Sequence, residues 1–147
     1  MSKNLIIGID AGTSVIKSVA FDLTGRQIAV ASVPNRYTTA EDGSATQPLD
    51  QTWNDCVRSL RQLAEAVPNL AHRVTAVAVT GQGDGTWLID KDHQPVGDAW
   101  LWLDARAGHT AEKLRQRSND DARFLLTGTG LNACQQGAQF VHMMQHQ

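Results

Sequence analysis

Asp10, Gly12, Thr13, Ser14 and Lys17 fall within eight residues, Asp10-Ala-Gly-Thr-Ser-Val-Ile-Lys17, and their types suit a polyphosphate with a magnesium ion. Gly12 lets backbone N–H groups turn inward with no side chain in the way, and the Thr13 and Ser14 hydroxyls add donors for phosphate oxygens. Lys17 supplies a cation within reach of the same anion. Asp10 would hold hydrated Mg²⁺ through water, because that ion keeps much of its hydration shell. The spacing is neither G-x-x-x-x-G-K-[ST] nor G-x-G-x-x-G, and a strand rather than a helix follows the turn, so P-loop and dinucleotide-binding mechanics do not apply. A β-hairpin whose glycine serves only turn geometry is the alternative for the octapeptide taken alone.

The second segment with chemical potential, Thr80-Gly-Gln-Gly-Asp-Gly85, follows an apolar run, so its side chains and amides are delivered to the rim of a sheet, where open α/β sheets place ligands. A plain surface turn is the other reading. The third, Trp100-Leu-Trp-Leu-Asp-Ala-Arg106, carries two tryptophans at i, i+2, on one side if the chain is extended. They are either a ligand wall or hairpin packing. Asp104 and Arg106 are either site groups or a solvated helix-start pair.

The elements that must position these residues follow from the apolar pattern. Residues 4–10, Asn-Leu-Ile-Ile-Gly-Ile-Asp, predict a buried central strand. Val15 to Phe21 and Gln27 to Val33 predict two more strands joined by tight turns, a meander ended by Pro34. Residues 35–49 are polar, with Gly43 and Pro48, and read as a surface excursion. Asp50 is an N-cap candidate, and Trp53, Val57, Leu60, Ala64 and Val67 recur at helical spacing, predicting an amphipathic helix over 51–66 that Pro68 ends. Arg73 to Thr80 is apolar on both faces and is expected in the sheet interior. Thr86 to Ile89 and a piece near Asp98 to Leu103 predict a small hairpin beside the sheet, and helical patterns follow at 106–117, 120–127 and 137–146.

Composition narrows the class. The 147 residues carry 13 Lys+Arg and 15 Asp+Glu, a net charge of −2, with 41% apolar and 19% charged residues. That describes one ordinary domain or a piece of a larger one, neither disordered nor a nucleic-acid binder. The N-terminus, Met-Ser-Lys-Asn before Leu5, does not read as a signal peptide, and no run approaches membrane-spanning length. Cys56 and Cys134 lie far apart with no CxxC spacing, suggesting neither zinc nor a disulfide and a reducing, cytoplasmic compartment. His142 and His146, at i, i+4, read as a solvated helix end sooner than a metal pair. There is no repeat and no clear interdomain linker, and the ending Met144-Gln-His-Gln147 lacks a C-cap signal, which reads as a cut.

In this context Asp-x-Gly-Thr, between the first two strands of a β-β-β-α-β unit, resembles the phosphate loop of the actin, hexokinase and heat-shock-chaperone ATPase superfamily. The whole chain resembles the N-terminal part of an FGGY carbohydrate kinase, by Ile-Gly-Ile-Asp-Ala-Gly-Thr-Ser-Val-Ile-Lys at the start, Val-Thr-Gly-Gln-Gly-Asp-Gly in the middle and Trp-Leu-Asp-Ala-Arg at 102–106. The fold so implied is α/β and ribonuclease-H-like, a mixed sheet with flanking helices forming an incomplete N-terminal lobe. Residues 1–147 would be the N-terminal part of the first kinase domain, without the second, nucleotide-side domain.

The resemblance implies ATP and Mg²⁺ as cofactors, with Asp10, Gly12, Thr13, Ser14 and Lys17 at the phosphates and Asp10 at the metal. It implies Gln82, Gly83, Asp84, Trp102, Asp104 and Arg106 at the sugar, with Asp84 accepting polyol hydroxyls, Trp102 against the C–H face, and Arg106 pairing with Asp84 or Asp104. No catalytic residue is expected here, since the family's general base lies beyond residue 147. The chain alone is therefore expected not to turn over. Gly-Gln-Gly-Asp-Gly-Thr-Trp is similar to erythritol-type and L-xylulose-type members, so a small polyol or ketose is the implied partner, with no nucleic acid and no membrane. Glycerol kinases carry a substrate-contacting Tyr where Leu131-Asn-Ala-Cys-Gln-Gln-Gly137 has none; Asn132, Gln135 or Gln136 are the amides available instead. The other readings are a non-catalytic sugar- or partner-binding module, self-associating through surface exposed by the cut, and a chaperone-like or actin-like ATPase fragment. The last gives no reason for Gln82 to Asp84 or Trp102 to Arg106.

Overall fold

A computed structural model describes residues 3–146; Met1, Ser2 and Gln147, which belong to the N-terminal and last-helix readings above, lie outside the described residues. Strands β1 (Leu5–Ala11), β2 (Val15–Asp22) and β3 (Gln27–Pro34) form the expected antiparallel meander. Their alternation sets one face: Ile7 pairs with Ala20, Ile9 with Ser18, and Ser18 with Ala31, so Leu5, Ile7, Ile9, Ile16, Ala20 and Ala31 are buried together. The β2–β3 turn is built by Asp22, whose Oδ1 accepts from Thr24 N, Thr24 Oγ1 and Arg26 N. These bonds to the charged form hold its carboxyl down at about 2.

Helix α1 (Leu49–Ala66) covers that face with Leu63, followed by Val67 and Leu70. The buried stripe is rotated from the expected one. Leu60 and Val67 join the core, but Trp53 is 71% exposed while Thr52, Asp55 and Ser59 are buried. Polar contacts explain the rotation: Ser18 Oγ and Ser59 Oγ lie 2.6 Å apart, and Asp55 accepts from Gln51 Nε2 and pairs with Arg58 at 2.8 Å. Such internally satisfied groups can face a core that a hydrophobicity count would reserve for Trp53. The helix begins two residues earlier than expected, so Asp50 sits in its first turn, where a negative charge meets the positive end of the helix dipole.

A short helix, α2 (Leu70–Arg73), leads into β6 (Val74–Gly81), which runs parallel to β1. Its expected interior position is not observed. The order is β3-β2-β1-β6, placing β6 at an edge, with Val77 54% and Val79 69% exposed. Doubly apolar faces suit a strand covered on both sides; among the described residues only β1 pairs with it.

The segment read as a surface excursion contributes strands β4 (Thr38–Thr39) and β5 (Ala45–Gln47), with Ala45 and Gln47 buried. They join β7 (Gly85–Thr86) and β8 (Ala99–Leu101) in a second sheet of order β4-β5-β8-β7. The expected hairpin is β7–β8, continued by the Ile89–Pro95 bridge and turned at Asp90, but it belongs to this separate sheet. Helices α3 (Gly108–Arg115), α4 (Asp120–Thr127) and α5 (Gln136–His146) match the three expected patterns, and Ala107, Ala111 and Ala138 form a small core joined by Leu131.

The chain divides into two compact units, one of residues up to Tyr37 with Asp50–Gln82, the other of Thr38–Leu49 with Gly83–Gln147. Because the units interleave along the chain, no single linker marks them. No helix among the described residues is long and apolar enough to cross a membrane.

Candidate functional site

In the first unit, the Gly12–Ser14 turn joins β1 to β2 and is fixed from β3. Asn35, 4% exposed, donates its side-chain amide to the Gly12 carbonyl at 2.9 Å and its backbone N–H to the Ser14 carbonyl at 2.9 Å. A Cβ on Gly12 would lie 2.7 Å from the Val15 carbonyl oxygen, so this close approach requires glycine. Asn35 was missed because a polar residue after Pro34 carries no signal of long-range use.

Strand register then aligns the expected phosphate-side groups. Asp10 pairs with Lys17 on β2 and with Thr80 on β6, and Lys17 pairs with Ser32 on β3. Cross-strand partners share a face, so Ser32, Lys17, Asp10 and Thr80 form an exposed polar row on the side opposite the α1-covered core. Thr13 is half-buried and Ser14 exposed beside it. Among the described residues no group of three or more His, Cys, Asp or Glu could cage a metal. A single carboxylate beside backbone amides and hydroxyls is a donor set that Mg²⁺ accepts when it keeps most of its waters, so the residues would fit that ion.

The longer segment of the second unit begins at Gly83. Gly83 and Asp84 are exposed, whereas the preceding Gln82, in the first unit, is half-buried. Gly85 has φ +101°, and a Cβ there would lie 2.5 Å from the Trp100 carbonyl oxygen, so glycine is required a second time. Its N–H donates to the Cys134 carbonyl at 2.9 Å, and the Cys134 thiol donates to Asp84 Oδ2 at 3.7 Å. Burial, with the Asp84 carboxylate second, pushes the Cys134 thiol up and keeps it protonated as a donor. Cys134 is thus the residue of segment 131–137 that meets Asp84. Gln135 is engaged within its own loop, accepting from Asn132 N at 3.1 Å and donating to Thr129 Oγ1 at 3.3 Å.

Trp100 and Trp102 do not share one environment. β8 ends at Leu101 and the chain turns, leaving Trp100 6% and Trp102 48% exposed. Asp104, read as a solvated pair member or a site group, is 1% exposed. It accepts from the Ala45 and Arg106 backbone N–H groups and from Arg106 Nε and Nη2, the latter at 2.6 Å. The Arg106 guanidinium also lies 3.4 Å from the Trp100 ring centroid. Arg106 therefore takes Asp104, of its two expected partners. His142 shares a hydrogen bond with Thr110 Oγ1 at 3.0 Å and lies against His146, ring centroids 4.4 Å apart and tilted by 41°; burial pushes its pKa down.

The profile of the FGGY family of carbohydrate kinases, N-terminal domain, matches residues 5–147. An erythritol kinase of Brucella abortus is 61% identical over 140 residues, covering 95% of this chain and 27% of that relative. A probable L-xylulose kinase of Haemophilus influenzae is 31% identical over 101 residues, covering 69% of this chain and 21% of the relative. Among solved structures, a xylulose kinase from Rhodospirillum rubrum superposes with a TM-score of 0.90 at 24% identity, covering 97% of this chain and 29% of that one. The fold is the ribonuclease-H-like one of these sugar kinases. The chain spans under a third of the length of each.

Proposed function

Because the chain belongs to the FGGY family of carbohydrate kinases, we propose that it serves ATP-dependent phosphorylation of a small polyol or ketose, of the erythritol or L-xylulose class. The observation that carries the substrate class is the 61% identity to an erythritol kinase across 95% of the chain. The Asn35-braced turn with its required Gly12 supports the nucleotide side.

In this reading the first unit serves the nucleotide. The Gly12–Ser14 amides and the Thr13 and Ser14 hydroxyls hold phosphate oxygens, Lys17 offsets their charge, and Asp10 holds the hydrated metal. Bound Mg²⁺ supplies charge neutralisation for phosphoryl transfer. The second unit, with Gln82 before it, serves the sugar. Asp84 accepts from hydroxyls, Gly83 leaves room for close approach, and the exposed Trp102 offers a face to ligand C–H groups. Asp104 orients Arg106 through Nε and Nη2, setting the guanidinium for a ligand hydroxyl. The general base that accepts the hydroxyl proton is assigned to none of these residues, so the 147-residue chain is expected not to turn over by itself.

Replacing the matching segment of the Brucella abortus relative by residues 5–147 tests this. ATP-dependent product from erythritol or L-xylulose by a folded chimera is expected; a folded chimera inactive on both, while the parent is active, overturns the substrate class.

A further inference from the structure

Asn35, the residue after β3, takes up the carbonyls at both ends of the Gly12–Ser14 turn. Its side-chain Nδ2 donates to the Gly12 carbonyl and its backbone N–H to the Ser14 carbonyl, each at 2.9 Å. The ladder between β1 and β2 ends at the Ala11–Ile16 pair, so Gly12–Ser14 lie outside it and are held from the end of β3 instead. That support is stiff, because Asn35 follows Pro34, whose ring fixes φ and which pairs with Val15. The Asn35 Oδ1 is buried and has no hydrogen-bond partner among the described residues. A buried acceptor left without a donor is a cost that an apolar side chain of similar size would avoid, so the bond from Nδ2 is what an asparagine contributes here.

These bonds also set the direction of the next amides. In a trans peptide the N–H lies opposite the C=O. With the Gly12 and Ser14 carbonyls held on the Asn35 side, the Thr13 and Val15 N–H groups turn to the other side of the loop. Neighbouring amides turned the same way attract an anion. We propose that Asn35 is a positioning residue for nucleotide phosphate: by holding the two carbonyls it presets the loop amides, Val15 N–H among them, that meet phosphate oxygens. This role rests on the nucleotide-side reading of Asp10 to Lys17 and adds to it a residue from another strand end, acting through the loop rather than on the ligand. A preset loop spares the ordering that binding would otherwise have to impose, so the brace shows in affinity.

The test is a titration of the chain with ATP and, separately, with inorganic tripolyphosphate, each with Mg²⁺, following the Thr13, Ser14 and Val15 amides and the Asn35 side-chain amide by NMR. Saturable shifts of all four with one half-saturation concentration are expected. Asn35→Ala removes the side-chain donor, and Asn35→Asp keeps the shape but sets an acceptor against the Gly12 carbonyl; each should weaken binding at least about fivefold. A stabilising role alone would lower the melting temperature and leave the half-saturation concentration where it is. Native affinity in either folded variant overturns the brace and leaves the phosphate reading standing. No saturable loop shift in the native chain overturns that reading and the brace with it. Should both variants lose their amide dispersion, the native chain decides: an Asn35 side-chain resonance that stays still while the loop amides saturate contradicts the proposal, and one that moves with them supports it.

Discussion

Asp104 and Arg106, two residues apart, form a bidentate pair in which the carboxylate is fully buried and the guanidinium, stacked on Trp100, retains 21% of its side-chain exposure. A buried carboxylate that loses its cation keeps its desolvation cost without the compensating attraction. Arg106→Met should therefore destabilise the chain by about 3 kcal/mol, measured by urea denaturation, and Arg106→Lys should recover less than half, since an ammonium cannot reproduce the planar two-point contact or the stack. A loss below about 0.5 kcal/mol would show the pair to behave as an exposed one.

The buried Ser18–Ser59 contact is directional. Ser59 Oγ donates to the Cys56 carbonyl at 2.9 Å, so Ser18 must be the donor across the helix–sheet interface. Ser59→Ala strands the Ser18 hydroxyl and should cost about 1–3 kcal/mol, whereas Ser18→Ala leaves Ser59 its carbonyl and should cost less. Equal losses in thermal or chemical denaturation would contradict this assignment of the proton.

That contact also shows why one part of the fold was legible and another was not. The meander, the existence of helix α1 and the last three helices follow from periodicity and turn residues that act locally. The face of α1 does not, because Ser59 is made compatible with burial by Ser18, 41 positions away in sequence, while Asp55 is satisfied by Gln51 and Arg58 on its own helix. Strands β4 and β5 are two and three residues long and carry no period of their own; they exist through pairing with β8. At the candidate site, motif residues Asp10 to Lys17 and Gln82 to Asp84 were visible. Asn35 and Cys134, which brace them, were not, since nothing in either residue's local sequence announces the loop it will meet.

The Asp22 turn gives a pH dependence with a definite sign. Its carboxyl is lowered from 3.8 in the unfolded reference to about 2 by bonds from Thr24 and Arg26. Its contribution is therefore present above about pH 4 and is lost as pH falls through 2. Acid titration of stability should show less loss across that window in Asp22→Asn than in the native chain; identical acid limbs would mean the bonds do not persist in solution.

Cys134 should matter to the sugar side through Asp84. In the chimera with the Brucella abortus relative, Cys134→Ser keeps a donor and Cys134→Ala removes it. The alanine variant should raise the KM for erythritol about two- to tenfold with the KM for ATP unchanged, and serine should restore most of it. Equal behaviour of the two variants would assign Cys134 to packing alone.

The division of labour between the units is tested most directly by comparing Asp10→Asn and Asp84→Asn in that chimera, measuring kcat and both KM values. Expected are a kcat lowered at least about a hundredfold with an unchanged erythritol KM for Asp10→Asn, and an erythritol KM raised about ten- to a hundredfold with an unchanged ATP KM for Asp84→Asn. An Asp84 variant that shifts the ATP KM while leaving erythritol untouched, or an Asp10 variant with native kcat, would contradict the assignment of nucleotide and sugar to these two carboxylates.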